Sequence, residues 1–434
     1  MTTIAKKTTF LTSLGAGLEY YDFIIYGMMA GILSPLFFGP DEEWMGLIKT
    51  FGVFAVGYLM RPIGGIVFGM IGDTYGRKKT FLAVMFLMAI STFCIGLLPT
   101  YSQIGNAAGV LLVLLRILQG LSFGAELPGA ITVVCESSQK QKHGSYAGIV
   151  ISSVSVGSML ASFVLFLLSQ NVNQAQIHSW GWRIPFLLGG LLALANYYIR
   201  KHLQETPEFT RLQSERKLTA FKEPLLCLVR QYRIEMLLGI GMTSFVASLV
   251  IFALYLPTYL TQYYSFSTSD IYLAMTWGML WSACVLPICG WLADFVGKVR
   301  MFIGTCLVFM LGGAALFAIL AQEGLAILVA FMILYQTVIA CVTVCYFPLL
   351  AALFPTAVRY TGLAACYNIT YSLMATAPIL ITALIKWSNS AKSGILFLLL
   401  FAIISAISCY LLSRKLNTQS ILAQPQGSAG AAAD

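Results

Sequence analysis

Charge is scarce in this chain of 434 residues. Only 10% of them are charged, 59% are hydrophobic, and the mean hydropathy is +0.83. A soluble domain carries about 25% charged residues, so a soluble globular fold is excluded. Histidine is nearly missing: His143, His178 and His202 all fall at segment ends, which argues against a histidine proton relay at the membrane midplane. The ten cysteines contain no C-x-x-C pair, and most lie inside apolar runs (Cys94, Cys284, Cys306, Cys341, Cys345, Cys366, Cys409). Free cysteine there behaves as a small packing residue, so neither a metal site nor a disulfide framework is expected. The net charge of +9 comes without a basic face interleaved with aromatics, which removes nucleic acid as a partner. No nucleophile–base pair stands at membrane depth, so the chain is read as no enzyme and as needing no cofactor.

What is present is a series of long apolar runs, each able to cross a bilayer core of roughly 30 Å as a helix. Spans are expected near 10–38, 45–71, 80–98, 107–135, 144–170 and 183–203, then near 234–262, 271–293, 301–322, 325–351, 361–386 and 393–413. The fold class is therefore an all-α polytopic membrane protein with twelve transmembrane helices. Residues 1–203 and 234–413 form its two halves, 204–233 a polar central loop and 414–434 a short tail. Lys6 and Lys7 precede an apolar run that carries Glu19 and Asp22 and lacks a small-residue cleavage pattern, so it reads as a retained helix. Cations crowd the loops on one side of this topology, among them Arg77, Lys78, Lys79, Lys140, Lys142, Lys298 and Arg300. Only Lys49, Arg183, Lys386 and Lys392 fall on the other. Positive residues mark the cytoplasmic face, which puts both termini inside.

One loop is repeated. Gly69–Lys79 reads G-M-I-G-D-T-Y-G-R-K-K, and Gly290–Arg300 reads G-W-L-A-D-F-V-G-K-V-R. Aligned, they pair Gly69 with Gly290, Asp73 with Asp294, Gly76 with Gly297 and Arg77 with Lys298, so the second half reads as a repeat of the first.

These residues also carry a resemblance. Gly69–Lys79 resembles the loop signature of the major facilitator superfamily. The chain further resembles its metabolite:H⁺ symporter family, which includes proline/betaine, α-ketoglutarate, citrate and shikimate permeases. The matching stretches are G-A-G-L-E-Y-Y-D-F-I-I-Y-G (15–27), F-A-V-G-Y-L-M-R-P-I-G-G (54–65), R-I-L-Q-G-L-S-F-G-A-E (116–126), W-G-W-R-I-P-F (180–186), E-T-P-E-F (205–209) and L-F-P-T-A-V-R-Y-T-G (353–362). The resemblance implies two pseudo-symmetric six-helix bundles with a substrate cavity between them. It also implies an inner gate held by Asp73 and Arg77. Gly76, Asp294, Arg359 and Glu136 are grouped with that gate. The chain departs from the family by Ala352 before L-F-P and by His143 before Gly144, so each half keeps one member of a Glu/Arg pair: Glu136 in one, Arg359 in the other.

Charges at membrane depth cost several kcal/mol or more, and here they are few: Glu19, Asp22, Arg61, Arg116 and Glu126. All lie in the amino-terminal half, so proton chemistry is assigned there and shape and aromatic contacts to the other half. Glu19 and Asp22 stand three apart on one helix face; they are proton-site candidates, with a local hydrogen-bond network as the other reading for Glu19. Glu126, between Gly124, Pro128 and Gly129, lines a pathway or belongs to a cytoplasmic gate. Arg116 either holds a substrate carboxylate or pairs with an acid, and Asp22 at a similar depth is the expected partner. Tyr20, Tyr26, Tyr255, Trp277 and Tyr367 are candidates for an aromatic box around an ammonium group. The function expected is proton-coupled symport of a small polar metabolite, a zwitterion such as an amino acid or betaine or else a small carboxylate. It would proceed by alternating access in the bilayer of the inner membrane, with a monomer as the working unit. The alternative is an efflux antiporter. Such relatives carry a G-P-x-x-G-G pattern in the fifth span, which here has no proline.

Overall fold

The structure is a computed structural model that describes residues 13–422 apart from 14–16, 19, 23, 24, 40–42, 76, 125, 126, 129, 130, 132–141, 202–227, 229, 265, 323, 355–358 and 391. At 43, 44, 66, 69–75, 77–81, 196, 199–201, 359, 360 and 416–422 it describes the backbone alone.

The apolar runs are helices. In chain order they are α1, made of Tyr20–Met28 and Ala30–Phe38; α2, Glu43–Tyr75; α3, Arg77–Leu97; α4, Ala107–Phe123; α5, His143–Asn171; and α6, Arg183–Lys201. The second set is α7, Arg233–Tyr263; α8, Thr268–Val296; α9, Lys298–Ala318; α10, Leu325–Ala352; α11, Arg359–Met374 continued by Ala377–Ser388; and α12, Ser393–Leu422. Backbone polar groups in hydrocarbon must be satisfied within the segment, which leaves the helix as the spanning form for such runs. The repeated loops end alike: α2 stops one residue short of Gly76 as α8 stops one short of Gly297. Gly297 holds φ +101°, a conformation side chains rarely adopt, and so lets the chain reverse within a single residue.

Two spans differ from the expected straight rods. α1 bends by 70° at Met29, between Gly27 and Gly31. α4 is continuous to Phe123 and is interrupted at Gly124, with helical residues again at Leu127, Pro128 and Ile131 inside the expected 107–135. The carbonyl freed at Gly124 accepts a 2.7 Å hydrogen bond from Asn368 Nδ2 of α11, so the other half of the molecule satisfies a helix end.

Glycine sets how closely the helices approach in the first half. A Cβ at Gly120 would overlap the Gly57 carbonyl, and one at Gly124 the Arg61 carbonyl, so α2 and α4 lie backbone to backbone. Small residues at such crossings let dispersion contacts form where no hydrophobic drive exists between helices in lipid. Across the halves, α5 and α8 form the most extensive helix pair, again through small residues. Ser152 donates to the Ala283 carbonyl at 2.6 Å, Ser155 and Ser282 share a bond at 3.1 Å, and Thr276 donates to Ser162 at 3.0 Å. On the opposite side α2 meets α11, where Ser372 donates to the Tyr58 carbonyl.

Candidate functional site

Between the halves lies a cavity of about 70 Å³. One wall comes from α1 and α5 of the first half, through Tyr20, Ser155 and Ser158. The other comes from α8, α10 and α11, through Ser282, Gln336, Thr343, Tyr346 and Tyr371. Apolar side chains such as Met279 and Ile339 fill the rest. Hydrogen bonds between the halves bound it at both ends. At one, Tyr272 donates to the Met28 carbonyl at 3.1 Å and Gln170 to Ser269. At the other, Asp294 of α8 reaches the first turn of α5.

Asp294 is bound closely there. Its Oδ1 accepts from Gly144 N at 2.9 Å, and its Oδ2 accepts from Ser145 N at 2.9 Å and Ser145 Oγ at 2.8 Å. Lys298, one turn on, pairs with the same carboxylate at 2.7 Å. A helix amino terminus exposes unsatisfied N–H groups and the positive end of its dipole, so a carboxylate from the opposite half is a natural latch.

The acids and cations of the first half are arranged differently from expectation. Asp22 is fully buried and flanks Gly189 of α6 and Thr92 of α3. Neither of its oxygens has a hydrogen-bond partner among the described residues, and no described cation pairs with it. Arg116, also fully buried, lies over the Tyr26 ring at 4.4 Å and donates from Nη1 to Gln119 Oε1 at 2.9 Å. Gln119 Nε2 in turn donates to Thr92 Oγ1 at 2.7 Å. Arg116 is thus engaged by Gln119, which in turn bonds Thr92, and the expected direct pair with Asp22 is not formed. Arg61 is sandwiched by the rings of Tyr58, 3.7 Å away, and Phe123, 4.3 Å away. Aromatic faces offer a guanidinium a low-dielectric seat.

Of the expected aromatic box, only Tyr20 lines the cavity. Tyr367 packs behind it, its ring 4.4 Å from that of Tyr371. Tyr26 donates to the Thr50 carbonyl at 3.1 Å, and Tyr255 bonds Thr382 at 2.9 Å against the Phe51 ring; both are buried outside the cavity wall. Trp277 is a correction. It is 52% exposed and shares an outward stripe of α8 with Trp281, Ile288, Trp291 and Phe295, whereas Met279, Ser282 and Leu286 face inward. The spacing of Trp277 and Trp281 fixes a common helix face but not which way that face looks, and in a membrane protein an outward aromatic is at home in lipid. Glu19, Glu126, Glu136 and Gly76 lie outside the described residues, as do the side chains of Asp73, Arg77 and Arg359.

Sequence reasoning missed most of the polar wall. Ser155, Ser282, Gln336 and Thr343 are uncharged, and nothing in their spacing separates a cavity hydroxyl from a helix-packing one. The run S-S-V-S-V-G-S in α5 was the available signal, since it is too polar for a lipid-facing stretch.

Comparison with known proteins agrees with this architecture. Residues 12–376 match the family model of the Major Facilitator Superfamily. The proline/betaine transporter of Escherichia coli K12 is 32% identical over 423 residues, covering 93% of this chain and 82% of that one. That of Salmonella typhimurium LT2 is 32% identical over the same shares. Among solved structures, the D-xylose-proton symporter superposes with a TM-score of 0.73 at 17% identity, covering 93% of this chain and 96% of that one. The partially occluded inward open xylose transporter XylE from E. coli gives 0.72 at 16%, covering 94% and 96%. With the repeated loops, the helix order and the cavity between two halves, these matches place the chain in the Major Facilitator Superfamily of membrane transporters, in the branch that holds the proline/betaine transporters.

Proposed function

We propose that the protein is a secondary transporter that moves a small zwitterion, an amino acid or a betaine, together with protons by alternating access. The observation that carries this reading is the cavity shared by both halves, lined by tyrosine rings and neutral hydrogen-bonding groups near the middle of the spans. Relatives named for proline and betaine supply the substrate class. The halves 1–203 and 234–413 rock about the cavity, and both termini face the cytoplasm of a bacterial inner membrane, as the cation distribution supports. The monomer is the transporting unit. Asp22 is the leading proton site, a fully buried carboxylate whose oxygens meet no described hydrogen-bond partner. Glu19 and Glu126 are the other proton candidates. Asp294, with Asp73, Gly76, Arg77, Arg359 and Glu136, serves the cytoplasmic gate. Efflux is the less favoured direction, given a proline-free fifth span.

Purified protein in proteoliposomes tests the reading. An inward proton gradient should drive accumulation of radiolabelled proline or glycine betaine, and a protonophore should collapse it. Accumulation indifferent to the gradient would exclude symport, and no uptake of either compound would exclude the substrate class.

A further inference from the structure

The cavity has two chemically distinct ends. Gln336 of α10 donates its amide to Met279 Sδ at 3.4 Å, and a thioether is a poor acceptor that a better one would displace. Beside it, Ser155 of α5 and Ser282 of α8 share one hydrogen bond. Two hydroxyls carry two protons, so one donor of that pair has no acceptor among the described residues. These groups therefore offer an amide and a hydroxyl proton to an incoming anion, at a place where the halves meet.

The other end is aromatic. Tyr20, Tyr346 and Tyr371 are all buried and line the cavity from α1, α10 and α11. Helix rise orders the two ends. Measured from the face that carries Thr268, Leu325 and Ser388, Gln336 and Ser282 lie about 17 and 21 Å along their helices, and Tyr371 and Tyr346 about 26 and 32 Å.

We propose that the cavity binds its zwitterion in one orientation, with the carboxylate on Gln336 and the Ser155–Ser282 pair and the ammonium group against Tyr20, Tyr346 and Tyr371. This inference rests on the zwitterion reading above and specifies which residues read each end. Carboxylate recognition is a matter of hydrogen bonds to an anion, which outweigh neutral ones. Recognition of the cation is a matter of ring faces and needs no tyrosine hydroxyl. It follows that an alcohol with the same ammonium head should lose the first end alone.

The experiment is equilibrium binding of glycine betaine and of choline to the purified full chain in nanodiscs. Wild type should bind betaine more tightly than choline. Gln336→Leu and Ser282→Ala should each weaken betaine by about tenfold, the scale of a hydrogen bond to a charged group, and leave choline unchanged. Tyr371→Phe should bind both as wild type does, and Tyr371→Leu should weaken both. Retained choline binding shows that the Gln336 and Ser282 variants are folded. A wild type that binds betaine, with variants that keep its preference over choline or lose both ligands equally, overturns the orientation alone. A wild type that binds neither betaine nor proline overturns the zwitterion reading beneath it.

Discussion

Asp22 shows how a single residue can lack its expected partner and still remain the candidate for its expected role. A carboxylate at membrane depth is costly when ionised, by several kcal/mol. In this structure it is seated against Gly189, Thr92 and Tyr21 with no described hydrogen bond to stabilise the anion. Replacing it by asparagine removes the proton while preserving shape. Asp22→Asn should abolish gradient-driven accumulation in proteoliposomes and retain counterflow exchange of substrate. If the variant still concentrates substrate under a pH gradient, the coupling acid is Glu19 or Glu126. Arg116 belongs to the same scale: stacked on Tyr26, bonded to Gln119 and touching Gly57, it is part of the α2–α4 packing. Arg116→Lys keeps the charge but loses the planar fork that stacks and bonds together. It should lower the melting temperature in detergent as well as transport.

Among the elements, the decisive contact is that of α8 with the start of α5. Asp294 gathers two backbone N–H groups, a hydroxyl and Lys298. Hydrogen bonds to a charged group contribute about 1.5–3 kcal/mol each, so losing the charge should shift a two-state opening equilibrium by about tenfold or more. Asp294→Asn should therefore lengthen distances between spin labels on the adjoining ends of α5 and α8. An unchanged distance distribution would remove Asp294 from the gate. The repeat extends the argument: Asp73 matches Asp294, and the start of α11 matches that of α5, with Thr361 where α5 has Ser145. Asp73→Asn should open the α2–α11 side in the same assay. A second element-scale prediction concerns the glycine crossing of α2 and α4. Gly120→Ala drives a Cβ into the Gly57 carbonyl, and overpacking of this kind costs about 1–3 kcal/mol. A lowered melting temperature, with substrate affinity preserved in the folded fraction, is the expected result.

For the molecule as a whole, the arrangement predicts sidedness. Ser390, exposed between α11 and α12, and Arg300, exposed at the start of α9, lie on opposite faces. In intact cells a membrane-impermeant maleimide should label cysteine at 390 and spare cysteine at 300 until the membrane is opened. The reverse pattern would invert the topology. The Tyr272–Met28 and Asp294–α5 contacts lie on opposite sides of the cavity, so alternating access requires that they break in turn.

The helical membrane fold, the two-half organisation and the family were written in the chain because they depend on properties that survive without coordinates. Apolar run length meets a fixed bilayer thickness, and a reversal within one residue calls for glycine, as at Gly297, wherever the helices later pack. The partner of Asp294 was not legible: resemblance grouped that residue with a gate, and only the packing of α8 against α5 brought it to the Gly144 and Ser145 N–H groups. Nor was the direction in which a side chain looks. Trp277 and Ser282 are both plausible cavity residues by type, and only the packing of α8 against α5 and α10 turned one to lipid and the other inward. Depth along a helix suggested that Asp22 and Arg116 meet; the packing gave Arg116 to Gln119 and Tyr26 and left both Asp22 oxygens without a described partner. Spacing along a chain fixes height and relative face, whereas the absolute rotation of each helix is a joint solution of all its neighbours, and that rotation decides which groups a substrate meets.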